Sequence, residues 1–473
     1  MVDHMTPDEF RTHGYALIDW IAEYRSRVED LSVVSRVAPG DIAAMLPLHP
    51  PEEPEPFASL MDDLDTVVLP GITHWQSPNW FAYFPSNASP PSILAELVSA
   101  GLGAQGMLWS TSPALTEVES RVLDWLIDLM GLPDAWRSTG TGGGVIQMSA
   151  SDATHTALVV ARRHARSLAH AEDMVVYVSS EAHSSIEKGC TVAGIGHCRK
   201  IAVDGAFAMD PSALRRAIDR DIAAGLTPIA VVSAVGTTAT TAVDPLESIS
   251  SIASEHGLWH HVDAAYAGTA MICPEFRVHQ PGLEAVDSYT FNPHKWMMVN
   301  FDCTVMWVAD RGPLIDTMSI LPPYLKNEAS EAGSVIDYRD WHVSMGRRFR
   351  ALKLWWVIRS YGARGLRDLV RGHVGLADDF AQRLEADDRF ALTSPHPFGL
   401  VCFSHVAGDE RTRELAGALN ASGKVAVTAS EIDGHSFIRV SIGQTYTEGR
   451  HVDALWRLID DVAPHDVSDG FDS

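Results

Sequence analysis

The spacing of apolar residues changes along the chain, and each change marks a different kind of structure. Through the middle, short apolar runs predict buried β-strands, and stretches with helical periodicity separate them. The predicted strands are residues 174–178, 228–232, 259–262, 288–291 and 304–308. Such alternation is typical of βαβ units. We therefore predict an α/β fold with a mainly parallel central sheet and helices on both faces.

The two ends of the chain have patterns that differ from the middle. Thr6 as N-cap, Pro7 at the first helical position and the apolar stripe that follows predict an N-terminal amphipathic helix. The proline-rich segment 46–56 cannot hold a helix and favours an arm packed on a partner, with a plain linker as the alternative. Toward the C-terminus, helices alternate with strands predicted at 400–404 and 437–442. These patterns divide the chain into an N-terminal arm (1–88), a large α/β domain (89–352) and a small C-terminal α+β domain (353–473).

Composition narrows the classes of function. The chain has 473 residues, 46% of them hydrophobic, and 61 acidic against 36 basic side chains give a formal charge of −25. The apolar content excludes a disordered chain, and the negative charge disfavours binding to nucleic acid or to anionic membranes. There is no signal-peptide pattern and no apolar run near the roughly 20 residues of a membrane span. The five cysteines are scattered, and no zinc-binding spacing is present. We predict a cytoplasmic protein without a metal site.

Polar residues that follow predicted strands are the candidates for chemistry, because ligands of open α/β sheets bind at the carboxyl ends of strands. Glycines 142–144 lead to Ser149 and Ser151 at a predicted helix start, where backbone N–H groups and the helix dipole suit one phosphate. The spacing differs from that of nucleotide-triphosphate loops, and an ordinary N-cap explains it equally well. His183 follows the strand at 174–178 and is placed to stack on a flat ring or to cap a helix.

Two further strand ends carry a carboxylate and an amine. Asp263 closes the strand at 259–262, where a carboxylate needs a cationic partner such as a protonated ring nitrogen, unless it caps the next turn. Lys295 follows 288–291 in an aromatic setting that favours the neutral amine of a Schiff base, although a lysine stem packed on a turn looks the same. Taken together, the phosphate cradle, His183, Asp263 and Lys295 match what pyridoxal phosphate requires.

With these motifs, the chain resembles the group II pyridoxal-phosphate decarboxylases, most of all the aromatic L-amino acid decarboxylases that act on DOPA, tyrosine or tryptophan. The resemblance covers nearly the whole chain. Its strongest stretches are WFAYFP at 80–85, GGVIQ at 143–147, HVDAAYAG at 261–268, FNPHKW at 291–296 and GRRFR at 346–350. It implies fold type I and an obligate homodimer with active sites at the interface, in which the N-terminal segment extends over the neighbouring subunit.

The resemblance also implies roles for individual residues. Lys295 binds the cofactor aldehyde, Asp263 faces the ring nitrogen and His183 stacks on the ring. Tyr324, in a loop at 321–334, reprotonates Cα of the substrate. The residues implied around the phosphate and the ring hydroxyl are Ser149, Ala150, Ser151, Asn292, His294 and Thr238. The residues implied for the substrate pocket are Trp75, Tyr83, Phe84, Pro85, Ser86, Gln105, Met107 and Gly346.

The implied reaction is decarboxylation of an aromatic L-amino acid, and the substrate is left open among tryptophan, DOPA, tyrosine and phenylalanine. Gln105 and Met107 stand where animal DOPA enzymes carry residues that reach the partner's pocket, and Gly346 matches members that accept indoles. An aromatic aldehyde synthase on the same scaffold is the main alternative, and retention of Tyr324 and His183 argues against it. The aromatic entrance disfavours a decarboxylase for acidic or diamino acids. Because every reactive position is filled, a binding protein without catalysis is also disfavoured.

Overall fold

The computed structural model describes residues 4–319 and 335–463. The strands are β1 (Gly143–Gln147), β2 (Met174–Ser179), β3 (His197–Ile201), β4 (Thr227–Ala234), β5 (Trp259–Asp263), β6 (Ser288–Phe291), β7 (Thr304–Val308), β8 (Phe390–Leu392), β9 (Leu400–His405), β10 (Thr428–Ile432) and β11 (His435–Ser441). The helices are α1 (Pro7–Arg27), α2 (Asp41–Met45), α3 (Phe57–Asp63), α4 (Leu69–Gly71), α5 (Pro90–Leu102), α6 (Pro113–Met130), α7 (Ala150–His164), α8 (Ser185–Ala193), α9 (Pro211–Ala223), α10 (Leu246–His256), α11 (Pro293–Trp296), α12 (Arg311–Met318), α13 (Arg350–Glu385), α14 (Asp409–Ala421) and α15 (Gly449–Val462).

The first seven strands form one twisted sheet in the order β1-β7-β6-β5-β4-β2-β3. Strands β6, β5, β4, β2 and β3 pair in parallel, and β7 runs antiparallel to both of its neighbours. Side chains of β2 alternate between two cores: Val176 and Val178 pack with α7 and α8, whereas Val175 and Tyr177 pack with α9 and α10. Apolar burial on both faces explains why these strands read as continuous apolar runs. The predicted α/β fold with a mainly parallel sheet is confirmed.

Two strands of this sheet, β1 and β3, do not contain an apolar run from which they could be predicted. β1 begins with Gly143 and Gly144 because a Cβ at either position would lie within 3 Å of the indole rings of Trp341 and Trp307 respectively. β3 is an edge strand, and its first four residues stay partly exposed. Sequence periodicity detects neither a strand start made for close packing nor a half-solvated edge.

The parallel arrangement gathers the candidate residues at one edge of the sheet. β1, β2, β4, β5 and β6 all point the same way, so their carboxyl ends lie side by side. The residues at or after these ends are Ser149, His183, Thr238, Asp263 and Asn292. The topology therefore accounts for their proximity across more than 140 residues of sequence.

The N-terminal helix forms as predicted but does not bury its apolar stripe. Thr6 and Glu9 make a reciprocal capping box, and Pro7 occupies the first position. No residue of α1 is buried, and Phe10 and Tyr15 are 64% and 66% exposed. Such a stripe is stable in water only when something else covers it.

The C-terminal strands make a second, antiparallel sheet in the order β10-β11-β9-β8. Helix α13 joins it to the large sheet, with a kink at Gly362, where φ is +65°. Val357 and Leu366 belong to the core of the large domain, whereas Phe380 and Leu384 belong to the core over the second sheet. The division of the chain at residues 88 and 352 stays a prediction, and α13 crosses the second of these positions.

The part of the chain that the structure describes contains no helix long and apolar enough to cross a membrane. Within the same residues, no three His, Cys, Asp or Glu side chains are grouped closely enough to hold a metal ion. The five cysteines are free thiols.

Candidate active site

A cavity of about 170 Å³ lies at the carboxyl edge of the large sheet. Its lining includes nine residues that the sequence singled out: Phe84, Ser149, Ala150, Ser151, His183, Thr238, Asp263, Asn292 and Lys295. Ala234, Gly236, Thr237, Ala265 and Tyr266 also line it. The fold thus brings the phosphate, ring and lysine candidates into a single space.

Lys295 is presented by the short helix α11, which follows β6. The residue faces the cavity, while the surrounding protein removes its amine from bulk solvent, and this burial lowers the pKa of Lys295. The charge of Asp263 opposes the shift, and the charge of Arg439 adds to it. The amine also lies 5.2 Å from the centre of the Phe84 ring. The net effect is to move the amine toward its neutral, nucleophilic form.

Asp263 ends β5 and turns its carboxylate into the cavity. Its Oδ1 accepts a hydrogen bond of 2.9 Å from the backbone N–H of Ala265. Two residues earlier on the same face of the strand, His261 is fully buried, and burial lowers its pKa to about 4. Its Nδ1 lies 2.8 Å from the hydroxyl of Ser288 on β6. This neutral, hydrogen-bonded histidine fixes the strand that carries Asp263.

The phosphate candidates lie at the N-terminus of α7. Ser149 is the N-cap, and its hydroxyl accepts a 3.1 Å hydrogen bond from the backbone N–H of Asp152. Ala150 and Ser151 occupy the first turn, where backbone N–H groups have no partner inside the helix. Opposite them, Asn292 accepts a 2.8 Å hydrogen bond from the hydroxyl of Thr304 through Oδ1, which leaves its NH₂ group free to donate.

His294 lies behind Asn292, outside the lining of the cavity. Burial lowers its pKa to about 3, so the ring is neutral. Nδ1 accepts a 3.0 Å hydrogen bond from the backbone N–H of Cys303, which places the remaining proton on Nε2.

His183 reaches the cavity from the turn before α8. Its Nδ1 accepts a 3.1 Å hydrogen bond from the backbone N–H of Ser185 and lies 2.8 Å from the Ser185 hydroxyl. Partial burial lowers the pKa of His183, against the opposing charge of Asp263. A neutral ring with an occupied Nδ1 carries its proton on Nε2.

The loop after β4 supplies Thr238, an exposed residue at the rim. The preceding Gly236 has φ of +85°, and a Cβ there would come within 2.7 Å of the Cβ of Ala267. Only glycine permits this close approach, which brings the loop against the cavity.

The predicted substrate residues fall into two groups. Phe84 lines the cavity and stacks on Tyr266 with ring centres 4.0 Å apart. Trp75 and Tyr83 stack on each other at 5.6 Å, and Tyr83 is 58% exposed. The adjoining Pro85 is buried and Ser86 half-buried, and neither lines the cavity.

Gln105, Met107 and Gly346 form the second group, away from the cavity of their own chain. Oε1 of Gln105 accepts a 2.6 Å hydrogen bond from the backbone N–H of Arg347, and the carbonyl of Met107 accepts one from the N–H of Arg339. We call Gln105, Met107 and Gly346, with the backbone that joins them, the two-loop tip. Tyr324, the remaining predicted catalytic residue, lies outside the described residues.

The structure also brings in residues that the sequence did not indicate. Tyr266 contributes its ring to the cavity, and Arg439 on β11 lies with its guanidinium 5.1 Å from the centre of the Phe84 ring. Arg439 is the single charged residue in the predicted strand 437–442, and this was the signal available in the sequence. The sequence did not indicate which residues Arg439 contacts, because β11 belongs to the other sheet.

These features fit pyridoxal phosphate. The cavity combines a lysine amine shifted toward neutrality, a carboxylate, a neutral imidazole and a helix N-terminus with hydroxyl side chains. An aldehyde, a pyridine nitrogen, a flat ring and a phosphate are the four parts of that cofactor.

Known proteins are similar to this chain over nearly its whole length. Residues 39–406 match the pyridoxal-dependent decarboxylase conserved domain. The chain is 44% identical to phenylacetaldehyde synthase of Arabidopsis thaliana, over 98% of this chain and 97% of that protein. It is 42% identical to tryptophan decarboxylase 2 of Oryza sativa subsp. japonica, over 97% of this chain and 95% of that protein. The crystal structure of Oryza sativa TDC with PLP and tryptamine matches with a TM-score of 0.95 at 39% identity, covering 98% of this chain and 99% of that one. The chain therefore belongs to the pyridoxal-dependent decarboxylase family.

Proposed function

We propose that this protein uses pyridoxal phosphate to convert an aromatic L-amino acid into the corresponding arylalkylamine and CO₂. The observation that carries the proposal is one cavity that holds Lys295, Asp263 and the aromatic wall of Phe84 together. When bound, the cofactor supplies an electron-withdrawing ring that accepts the electron pair left as the bond between Cα and the carboxylate breaks.

Each polar residue at the cavity has a part of the cofactor that suits it. Lys295 would hold the aldehyde, Asp263 the ring nitrogen and Thr238 the ring hydroxyl. His183 would lie on the ring face, with its proton on Nε2. The phosphate would be held by Ser149, Ala150, Ser151 and Asn292. His294, which the sequence also assigns to the phosphate, does not line the cavity.

The residues then divide the chemical work. The carboxylate of Asp263 keeps a proton on the ring nitrogen, which strengthens the ring as an acceptor of electrons. Phe84 would bind the aromatic side chain and exclude water. Trp75, Tyr83, Pro85 and Ser86 do not line the cavity itself and would extend this wall. Tyr324, which lies outside the described residues, would deliver a proton to Cα after CO₂ has left.

A second copy of the chain is part of the proposal, in a cytoplasmic homodimer. Apolar side chains exposed in the single chain support it, including Phe10, Leu97, Leu102 and Phe301, which are 52–65% exposed. Surfaces of this kind are covered in stable oligomers. The two-loop tip, which does not line the cavity of its own chain, would complete the substrate pocket of the partner.

Aldehyde synthesis on the same scaffold is the alternative function. The 44% identity to a phenylacetaldehyde synthase keeps it open. That reaction consumes O₂ and water and releases ammonia and peroxide along with CO₂. The presence of Tyr324 and His183 favours simple decarboxylation.

A panel of L-amino acids assayed for CO₂, amine, ammonia and peroxide tests the function. We expect one amine per CO₂ for at least one aromatic substrate, and no turnover of glutamate. Borohydride reduction of the loaded enzyme, followed by peptide mass spectrometry, should fix the cofactor on Lys295. The proposal is wrong if no aromatic amino acid releases CO₂, and the alternative is right if peroxide and ammonia match CO₂.

Shared active sites can be tested by mixing two inactive variants. Lys295→Ala removes the amine, and Gly346→Trp blocks the tip that would enter the partner's pocket. Unfolding and refolding an equal mixture gives hybrids with one intact site, so about a quarter of wild-type activity should return. Each variant refolded alone is the control, and no recovery in the mixture contradicts a shared site.

A further inference from the structure

The backbone of Tyr83 is held in a conformation that a tyrosine rarely adopts. Its φ is +54°, in the left-handed region, where a Cβ crowds the chain. The side chain itself is exposed, so burial of its ring does not hold the backbone there. Since the next residue, Phe84, forms a wall of the cavity, the conformation of Tyr83 decides where that wall stands.

Two side chains of the small sheet hold both polar groups of Tyr83. Its backbone N–H donates to the hydroxyl of Thr428 at 2.7 Å, and its carbonyl accepts from Nη2 of Arg439 at 3.3 Å. Thr428 on β10 and Arg439 on β11 are directly opposite in the antiparallel pair, so they project from the same face of the sheet. Thr428 and Arg439 thus hold the backbone of Tyr83 from both its N–H and its carbonyl, and we call this pair the clamp.

Arg439 also connects this wall to the cofactor side of the cavity. Its Nη2 donates to the carbonyl of Thr238 at 2.8 Å, and its Nε donates to the carbonyl of Ala239 at 2.9 Å. The guanidinium lies over the Phe84 ring, 5.1 Å from its centre. One side chain thus touches the substrate wall, the loop after β4 and the small sheet at once.

The setting of Arg439 is unusual for a residue with only a structural role. It is 4% exposed, and no carboxylate pairs with it in the part of the chain that the structure describes. A buried guanidinium is costly to desolvate, and here only backbone carbonyls and an aromatic face compensate for it. The planar guanidinium holds its fork of N–H groups in fixed directions and can donate to carbonyls of several segments at once. The single ammonium group of a lysine cannot replace this arrangement.

We propose that Arg439, together with Thr428, is a positioning residue that clamps Tyr83 and thereby sets the Phe84 wall of the substrate pocket. The proposal rests on the proposed function for the identity of the substrate. Within the described residues, the hydrogen bonds of Arg439 go to backbone carbonyls and its guanidinium lies over the Phe84 ring, so we expect its effect to pass through the wall.

Substitutions separate the clamp from the charge. Arg439→Lys keeps the positive charge beside Lys295 but loses the fork. Thr428→Val removes the acceptor for the Tyr83 N–H, and Thr428→Ser restores it. The matched control is Arg311→Lys: Arg311 also donates to three carbonyls through Nε and Nη2, at Ser138, Gly140 and Thr141. Those carbonyls precede β1, at the end of the strand opposite the cavity.

Hydrogen–deuterium exchange of the cofactor-free protein, resolved by residue, reads the clamp directly. We expect the Tyr83 amide to exchange at least about tenfold faster in Thr428→Val and Arg439→Lys, and at the wild-type rate in Thr428→Ser and Arg311→Lys. The Phe81 amide, which donates to the carbonyl of Ala426, is an internal control that should not change.

Kinetics of the loaded enzyme provide the second measurement. A displaced wall weakens binding of the aromatic side chain, so KM should rise about tenfold in Arg439→Lys and Thr428→Val, with kcat within about threefold of wild type. Unchanged Tyr83 exchange, or a loss in kcat alone, overturns the proposal. If Arg439→Lys fails to fold, the Thr428 pair still decides. If the wild type turns over no aromatic amino acid, the proposed function fails while the exchange measurement still tests the clamp.

Discussion

The cavity and the two-loop tip are built in opposite ways. The cavity lies where five strands end, and its polar groups are fixed by neighbours in the same chain, as the hydrogen bonds of Asp263 and His183 show. The tip is anchored just as firmly at its root, by Arg347 and the buried Glu119, but Gly346 and its neighbours Val343 and Met345 are exposed. The groups of the cavity all come from one chain. The two-loop tip, in contrast, is largely exposed and does not line the cavity of its own chain. Under the proposed homodimer, one copy would hold the cofactor and the second copy would complete the substrate pocket.

Removal of the lysine amine should break the cavity most severely. We expect Lys295→Ala to lower the rate of CO₂ release by roughly 10⁴-fold or more, because the proposed covalent anchor of the cofactor is lost. CO₂ assays at saturating cofactor measure this, with Lys188→Ala as the control on an exposed lysine. Retention of even a tenth of the activity would remove Lys295 from its assigned role.

The root of the tip offers the next largest effect. Nη2 of Arg347 lies 2.5 Å from Oε1 of Glu119, with both side chains at most 2% exposed, and Glu119 also accepts from the N–H of Ile146 on β1. Arg347→Met leaves a buried carboxylate without its cation, which should cost about 3–5 kcal/mol of unfolding free energy. Urea unfolding measures it. The neighbouring Arg348 is 67% exposed, so Arg348→Met should cost at most about 0.5 kcal/mol. Equal stability of the two variants would mean that the buried pair does not support the tip.

Substitution of Asp263 tests the proposed charge beside the ring nitrogen while Lys295 stays in place to bind the cofactor. Asp263→Asn should lower kcat by about 10²–10³-fold, because one preorganised charge is lost where the reaction develops charge. The Asn side chain still accepts from the N–H of Ala265, so the fold and the attachment to Lys295 should persist. Borohydride trapping reports on the attachment separately from turnover. Wild-type kcat in this variant would show that the ring nitrogen needs no carboxylate.

The smallest expected effect is the pH dependence of stability that comes from a buried, neutral histidine on β5, His260. His260 is fully buried between the hydroxyls of Ser233 and Ser250, and burial lowers its pKa to about 3. In the unfolded chain the His260 imidazole is protonated below about pH 6.5, whereas in the folded chain it is protonated only below about pH 3. The contribution of His260 to the free energy of unfolding is therefore complete above pH 6.5 and decreases as the pH falls from 6.5 toward 3. The slope is about 1.4 kcal/mol per pH unit for one such proton.

His260→Asn should remove that slope for one proton, and urea unfolding at pH 5, 6 and 7 measures it. His49→Asn, at an exposed position of the proline-rich segment, is the control and should leave the slope unchanged. An identical pH dependence in both variants would mean that His260 is protonated in the folded protein.

The sequence was sufficient to predict whatever depends on local pattern. Apolar runs located β2 and β4 to β7, and the residues after their ends included Asp263 and Lys295, because a parallel sheet makes strand ends converge. The strand β1 was missed, since its glycines exist to fit the indoles of Trp307 and Trp341 from distant segments.

Contacts between the two sheets could not be predicted in this way. Arg439 is 144 residues from Lys295 in sequence (439 − 295), and its partners are backbone carbonyls, which leave no trace in residue identity. The positions of Gln105 and Gly346, side by side and away from the cavity, also follow only from tertiary structure. The role of Tyr324 stays a prediction, because that residue lies outside the described part of the chain.

Helix α13 enters the core of the large domain at its beginning and the core of the small sheet at its end. Each residue of a helix contributes about 100° of rotation and 1.5 Å of translation. An insertion or deletion of one residue between the kink at Gly362 and residue 385 would therefore turn the small sheet by more than a quarter circle, and Arg439 would move away from Tyr83. The number of residues in this helix thus contributes to the position of the Phe84 wall.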